Sequence, residues 1–334
     1  MNIIKIILYS ILVTSTFILP ACDRLDMYDI ASKKSPTVYA ITFNGVTYSL
    51  IIYNKNYIKK FAVNPSFPNQ PAGISVNEKK EVISFSNTYT AFAQPDLEHW
   101  INQLNPPSNL NVIGFHNDYI YLTGTTLMHL NRSTYMWENL MSTTSTTVGI
   151  FQGYDGEIYL LDIATDMTFY KISDSSIINI TNPITPPSVS GSYLNGYKTE
   201  NSFYFWYSGS INSIFMVQDD TCTNYNSTSI DSGIIDVAVT DTNQIYALTF
   251  ITSSGVDYYL YYLENPSLHS QIFYIGHNSA VTYFKIGAID NNRIIIATNG
   301  LISGYNGLFI YNIEKNKVEK IITTEDVYAM YVVR

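Results

Sequence analysis

Charge and cysteine are both scarce in this chain. Acidic and basic residues together make up 13% of it, with 27 Asp and Glu against 18 Lys and Arg. The basic residues form no stripe: Lys59–Lys60 and Lys79–Lys80 are isolated pairs. A nucleic-acid partner needs clustered positive charge to displace counterions, so none is expected. The net charge of −9 bears on solubility instead. Two cysteines, Cys22 and Cys222, cannot build a disulfide framework. The five histidines are His99, His116, His129, His269 and His277. No two have the spacing of metal ligands on one element, and a His-Glu-x-x-His run is absent. There is no Gly-x-Ser-x-Gly elbow and no P-loop. The residues therefore imply no catalytic constellation, no metal and no cofactor.

One long apolar run is present, at the start. Met1–Lys5 is weakly basic, Ile6–Leu19 is apolar apart from Ser and Thr, and Leu19-Pro20-Ala21-Cys22 follows. The run has the length of a secretory h-region rather than of a stable membrane span. The tetrapeptide resembles the bacterial lipobox: Leu19, Ala21 and Cys22 match, and Pro20 takes the tolerant position. The resemblance covers 22 residues and implies cleavage before Cys22, whose sulfur carries diacylglycerol. Acyl chains contribute about 0.8 kcal/mol per buried CH₂, and more than one holds a protein firmly to a bilayer. The expected organisation is a signal peptide over 1–21, a tether over 22–36 and a folded domain over 37–334. The domain is then held to a membrane on its non-cytoplasmic side, within the cell envelope. Cys222 is left as a lone thiol with no activating neighbour in Asp219–Asn224.

Tyrosine is abundant, at 29 residues, and it joins Ile, Thr and Val in favouring pleated, half-buried surfaces. The stretch Thr147–Thr181 reads as four short strands: Val148–Gln152, Glu157–Asp162, Met167–Ile172 and Ile177–Ile180. Asp155–Gly156 supplies a tight turn between the first two. Second strands of the same kind recur about forty residues apart: Val38–Phe43, Val82–Ser86, Tyr119–Leu122, Glu157–Leu161, Phe203–Tyr207, Ile245–Phe250 and Arg293–Thr298. Turn residues precede most of them, at Asn117–Asp118, Glu200–Asn201, Asp241–Asn243 and Asp290–Asn292. First strands carry a small residue between large ones, as in Ile113-Gly114-Phe115, Val148-Gly149-Ile150, Val237-Ala238-Val239 and Ile286-Gly287-Ala288. Proline, which has no N–H for a sheet interior, falls in the links Asn64–Pro68, Asn105–Pro107 and Asn182–Pro187.

Together these features resemble a β-propeller over residues 37–334. Seven second strands imply seven blades of four antiparallel strands, with six or eight as the alternatives because the unit Gly73–Gln103 has a weak first strand and Gly191–Ser232 is irregular. The chain lacks the Trp-Asp blade endings of WD40 repeats, the paired glycines of kelch repeats and the Ala-x-Asp-x-x-Gly of quinoprotein-like blades. Ser84–Phe92 departs from the sialidase Asp-box at Asn87. The N-terminal blade has Val38–Phe43 as its second strand, then Thr47–Tyr53 and Tyr57–Val63, and no first strand. Asp326–Arg334 is one strand too many at the other end and carries the large-small-large pattern in Tyr328-Ala329-Met330. Pairing Val327–Val333 with Val38–Phe43 closes the ring.

Propeller glycosidases use carboxylates converging on the axis. Here Asp155, Asp241 and Asp290 fall in turns at one end, and Asp162, Asp166 and Asp257 near the other. His116 and His277 approach the axis from opposite ends. Three aromatic runs offer a surface for sugar or protein contact or, more simply, inter-blade core: Phe203–Tyr207, Tyr258–Tyr262 and His99–Trp100. The expected function is a lipid-anchored binding or protein-interaction module. It would work through the face bearing the Pro-containing links and the longer loops Ile251–Asp257 and Asn299–Gly307, with a protein or glycan partner. The alternatives are a glycan-active envelope enzyme and a structural or adhesive surface lipoprotein. The lipobox is tested directly: mass spectrometry of the native protein should show a diacylated N-terminal Cys22, and Cys22→Ala should leave an unacylated, uncleaved precursor. A mature N-terminus elsewhere, without lipid, overturns it.

Overall fold

The computed structural model describes residues 36–333 except 78–79, 87, 104–109, 116–118, 124–125, 132–133, 135, 143–146, 153–157, 164–165, 174–175, 181–193, 200–201, 208–212, 219–220, 227–232, 266–267 and 280–283. Cys22 with its signal peptide and most of the tether, His116, Asp155–Gly156, Asn117–Asp118, Glu200–Asn201 and the links Asn105–Pro107 and Asn182–Pro187 lie outside the described residues. Every described element is a β-strand, in chain order β1 (Thr37–Phe43), β2 (Tyr48–Asn54), β3 (Tyr57–Ala62), β4 (Gly73–Val76), β5 (Val82–Phe85), β6 (Thr90–Ala93), β7 (Trp100–Gln103), β8 (Leu110–Phe115), β9 (Tyr119–Thr123), β10 (Thr126–Asn131), β11 (Met136–Ser142), β12 (Thr147–Gln152), β13 (Ile158–Ile163), β14 (Met167–Ser173) and β15 (Ser176–Asn179). There follow β16 (Leu194–Lys198), β17 (Phe203–Tyr207), β18 (Ser213–Gln218), β19 (Thr221–Asn226), β20 (Gly233–Val239), β21 (Ile245–Thr252), β22 (Val256–Asn265), β23 (Leu268–Asn278), β24 (Phe284–Asp290), β25 (Arg293–Thr298), β26 (Ser303–Gly304), β27 (Gly307–Asn312), β28 (Lys317–Thr323) and β29 (Asp326–Val333).

These strands form seven antiparallel sheets in the order of the chain. The architecture is that of a β-propeller. All seven second strands read from the sequence occupy the second position of a sheet: β1, β5, β9, β13, β17, β21 and β25. Their burial explains why they are the easiest to read. The second strand β13 is buried along its whole length, and so are five of six residues in β25. A strand covered on both faces reads as a continuous apolar run. The outermost strands β3 and β28 are exposed at most or every second position, and their sequences are correspondingly mixed.

Neighbouring sheets are glued by apolar cores. Alternate side chains of one strand enter different cores. In β17, Phe203 and Phe205 join Phe151, Leu161 and Phe169 of the fourth sheet, whereas Tyr204 and Trp206 join Ile234, Val237 and Ala247 of the sixth. The first and last sheets share a core of the same kind, with Val38, Ala40 and Ile51 against Ile295, Ala297 and Leu308.

The chain ends meet as the sequence places them. β29 runs antiparallel to β1, from Thr37 opposite Val333 to Phe43 opposite Asp326, with one irregularity at Ile41/Thr42. It lies beside the first strands β4 and β24 of the adjoining sheets. Close approach there explains the small residues. A Cβ on Gly287 of β24 would come within 2.5 Å of Val332 Cγ2 on β29.

Two segments expected to be long loops are not. Ile251 and Thr252 pair with Asp257 and Val256, leaving only a tight turn over 253–255. Within Asn299–Gly307, Ser303–Gly304 forms β26, which crosses to the sixth sheet and pairs with Gly276 and His277. Alternating apolar and small residues in that stretch give no run long enough to register as a strand.

Deleting Asp326–Arg334 removes β29, bares the N–H and C=O groups of β1 and opens a core containing Val327 and Met330. Such an edge invites aggregation. The truncated protein should elute as aggregate or be digested by protease under conditions that leave the full chain intact; a monomeric, resistant product overturns the account.

Candidate functional site

Sequential antiparallel strands place alternate connections at opposite ends. First-to-second-strand turns lie on one face, here called lower. Second-to-third turns and the links between sheets lie on the other, upper face. Thr37 and Val333 are therefore lower, and Phe43 and Asp326 upper.

The first strands of the sheets carry three carboxylates, and each stands at a different height. Asp236, in β20, is buried between strands: its Oδ2 accepts the Ile286 N–H at 2.9 Å and its Oδ1 lies 3.4 Å from Lys285 Nζ. Burial pushes its carboxyl up, and Lys285 with the amides of Ile286 and Val237 offsets this only in part. Asp290 is on the lower face, where it accepts from Arg293 Nε at 2.7 Å. Burial would raise it, but the guanidinium and turn amides win and hold it low. Asp326 is on the upper face, accepting from the Gly300 N–H and Asn306 Nδ2. Among the described residues no two of these assemble as an acid and a base. Asp162, at the upper end of β13, is buried, and burial raises its carboxyl. Asp166 and Asp241 are exposed turn residues.

His277 does not lead to the axis. It sits at the outer end of β23, where Nδ1 lies 3.0 Å from Asp257 Oδ1, and the Tyr274 hydroxyl donates to that same oxygen at 3.2 Å. Gly255 permits this, because a Cβ there would come within 2.4 Å of the His277 ring. His99 is exposed and paired with Asp96, whose hydrogen bond and charge raise the imidazole. His129 is buried, with Nε2 3.1 Å from Glu138. Cys222 is half-buried in an outer strand, and burial pushes its thiol up to about 11, which leaves it unreactive.

Among the described residues, most of the aromatic runs singled out in the sequence are core or partly buried. Tyr258 and Leu260 enter one inter-sheet core and Tyr261 another; Trp100 is 3% exposed. An aromatic cluster at the upper ends of three strands is one that sequence reading misses. Phe43, Tyr48 and Tyr328 converge on the upper face from β1, β2 and β29, all half-buried. The centroids of Phe43 and Tyr48 are 4.7 Å apart with the rings tilted by 36°. Tyr328 stands edge-on to both, at 6.1 and 6.0 Å and 78° and 77°. The three rings form a packed cluster in which Phe43 and Tyr48 face one another and Tyr328 meets both edge-on. Phe67, 5.4 Å from Tyr48, extends the cluster and is itself packed on buried Tyr89 and Trp100. Burial, then the neighbouring Tyr328 phenol, raises Tyr48. The turn between β1 and β2 is fixed by Asn44, whose Oδ1 accepts the N–H groups of Val46 and Thr47 at 2.9 and 2.8 Å. It presents Val46, 81% exposed, beside the cluster. The three rings are 5 and 280 residues apart in sequence, so only the β1–β29 pairing could have revealed them.

No family model and no curated protein matches the chain. Solved structures do. A streptogramin B lyase structure is 14% identical, with 77% of this chain and 84% of that one covered and a TM-score of 0.50. Apo AztD from Citrobacter koseri is 10% identical, with 90% and 98% covered and a TM-score of 0.52. At these identities the likeness shows the propeller fold.

Asp236 provides a pH test. Its folded value lies above the unfolded one of about 3.9. Its contribution to stability is thus fully present below the unfolded value and is lost as pH rises through the folded one. Melting of wild type and Asp236→Asn between about pH 3.5 and pH 8 should show wild type losing ground to the variant as pH rises. A pH-independent difference overturns the assignment.

Proposed function

We propose that this chain is a lipid-anchored β-propeller of the cell envelope that works as a binding module through its upper face. In this reading the seven sheets are seven blades, and β29 closes the ring as the innermost strand of the first. Diacylated Cys22 holds the domain to a membrane outside the cytoplasm, and 37–334 forms the domain. The single observation that carries the reading is the half-buried aromatic cluster of Phe43, Tyr48 and Tyr328 on the face away from Thr37, where the tether would enter. The 14 residues of Asp23–Pro36 reach at most about 50 Å when extended. Entry of the tether on the lower face would leave the upper face unobstructed by it. Tyrosine-rich, well-supported aromatic surfaces are the usual carriers of binding energy.

A photo-crosslinking residue placed at Val46 of the full-length protein in cells should give a discrete adduct. The same residue at exposed Asn292, on the lower face, should not. Adducts from position 292 alone would put the working face on the tether side, and adducts from neither would overturn the module.

A further inference from the structure

We infer that the lower rim of the seam between the seventh and first sheets docks on the anionic phospholipid headgroups of the bilayer that holds the tether. The inference rests on the anchoring part of the proposed function and names the surface that meets the lipid. The tether alone permits any tilt of the domain; charge selects one.

Charge is unevenly spread along the chain. Residues 64–283 hold five Lys and Arg against 19 Asp and Glu, whereas 37–63 hold Lys55, Lys59 and Lys60 and no acid. Folding gathers cations that the sequence keeps near its two ends. Lys55 lies in the lower turn between β2 and β3, and Lys59 in β3. Lys315 lies in the lower turn between β27 and β28, and Lys317 and Lys320 in β28. The two sheets share a core, and Lys320 Nζ stands 5.3 Å from the centre of the Tyr53 ring on β2. Lys59 is half-buried and the other four lysines are exposed. The acids at this end are Asp290, which is paired with Arg293, and Glu314 and Glu319, which accept from the Nδ2 of Asn292 and Asn312. At the upper end of the same seam the sign reverses: Lys60 is paired with Glu325, and Asp326 accepts from a neutral amide.

Position makes a bilayer the partner. Asn54 Nδ2 donates to the Pro36 carbonyl at 3.3 Å, so the chain leading from Cys22 enters the fold beside Lys55, and the four residues before Pro36 read Ser-Lys-Lys-Ser. A second contact made by a tethered domain is intramolecular, with an effective concentration on the order of millimolar, so a weak attraction suffices. Each lysine close to an anionic leaflet strengthens attachment about fivefold. Apolar side chains stand among the cations: Ile58 precedes Lys59 and is 44% exposed, and Ile321 follows Lys320 and is 52% exposed. That mixture suits the headgroup region, where apolar atoms sink and ammonium groups stay at the phosphates. The lower turns of the flanking sheets lack such an excess. The second sheet sets Glu81, Asp96 and Glu98 against Lys80 and His99, and the sixth presents Asp241 and Glu264. An anionic leaflet repels these acids, so the domain leans on the seam instead of lying flat on its lower face.

The test reconstitutes the protein purified from cell membranes into two kinds of vesicle, phosphatidylcholine alone and equal parts phosphatidylcholine and phosphatidylglycerol. Amide hydrogen exchange is then read along the chain. Segments 54–59 and 313–320 should exchange severalfold more slowly in the mixed vesicles, while the upper turn 44–47 and the lower turn 240–244 of the sixth sheet should not change. The slowing should vanish in molar salt, where screening shortens to about 3 Å. The triple variant Lys55→Gln, Lys315→Gln and Lys317→Gln should weaken docking on the order of a hundredfold and lose the slowing, with an unchanged melting temperature. Equal exchange in the two vesicles overturns the inference, as does slowing that survives the triple variant. Slowing that extends equally to 240–244 overturns the seam in favour of the whole lower face. The same slowing from inorganic phosphate with phosphatidylcholine vesicles assigns the lysines to a free anion and overturns the lipid. The mass of the reconstituted protein reports the acyl chains separately, so failure of the anchor is distinguishable from failure of the seam contact. A crosslink from Val46 without slowing at the seam leaves the binding module and removes this docking surface.

Discussion

The fold depends on a single constraint: second strands such as β1, β13 and β25 are buried on both faces. Ala40 in β1, Leu160 and Leu161 in β13 and Ile295 and Ile296 in β25 are all fully buried, although adjacent residues of a strand point in opposite directions. A sheet of this kind cannot be the last layer of a stack, because one apolar face would meet water at a cost of about 1.5–3 kcal/mol for each large side chain left exposed. Each sheet needs a neighbour on both sides, and so do the first and last. The core uniting Val38 and Ala40 with Ile295 and Leu308 answers that need, and the β1–β29 ladder fastens it. Together they give the C-terminal strand its role, since it supplies both a hydrogen-bonding edge and the apolar residues Val327 and Met330.

The same constraint decides what could be read in advance. Two-sided burial writes itself as an uninterrupted apolar run, so all seven second strands could be placed to within a residue or two. First strands were legible through a different signal, crowding at the centre. Gly287 has no room for a Cβ beside Val332, and Ala329 is fully buried in β29. Both positions belong to the large-small-large pattern. The outer strands are one-sided and their sequences ambiguous. β26 was missed because two residues, Ser303 and Gly304, carry no periodicity; the strand exists because the backbone of Gly276 on the neighbouring sheet lets it approach.

The candidate site was barely legible, for a physical reason. Clusters of aromatic residues adjacent in sequence, such as Phe203–Tyr207, divide between two cores because alternate side chains point apart. A functional aromatic surface on a propeller must instead gather residues at the ends of strands that are neighbours in space. Phe43 ends β1, Tyr48 begins β2 and Tyr328 lies near the start of β29. None of the three stands out by itself; only the pairing of the two chain ends brings them together.

The position of the aromatic cluster also follows from the β1–β29 pairing. The upper ends of β1 and β29 are held from several sides. Asp326 accepts from the Gly300 N–H and from Asn306 Nδ2, Glu325 takes a hydrogen bond from Thr42 Oγ1 at 2.8 Å and pairs with Lys60, and Ile302 donates its N–H to the His277 carbonyl. These contacts pin the 299–306 segment and the entry to β29 between the sixth, seventh and first sheets. A surface locked in this way has already lost its conformational entropy during folding, so a ligand does not have to order it again. The contacts that hold the entry to β29 are therefore the ones that position Tyr328 edge-on to Phe43 and Tyr48. Stability of the seam and geometry of the site are one property of the chain.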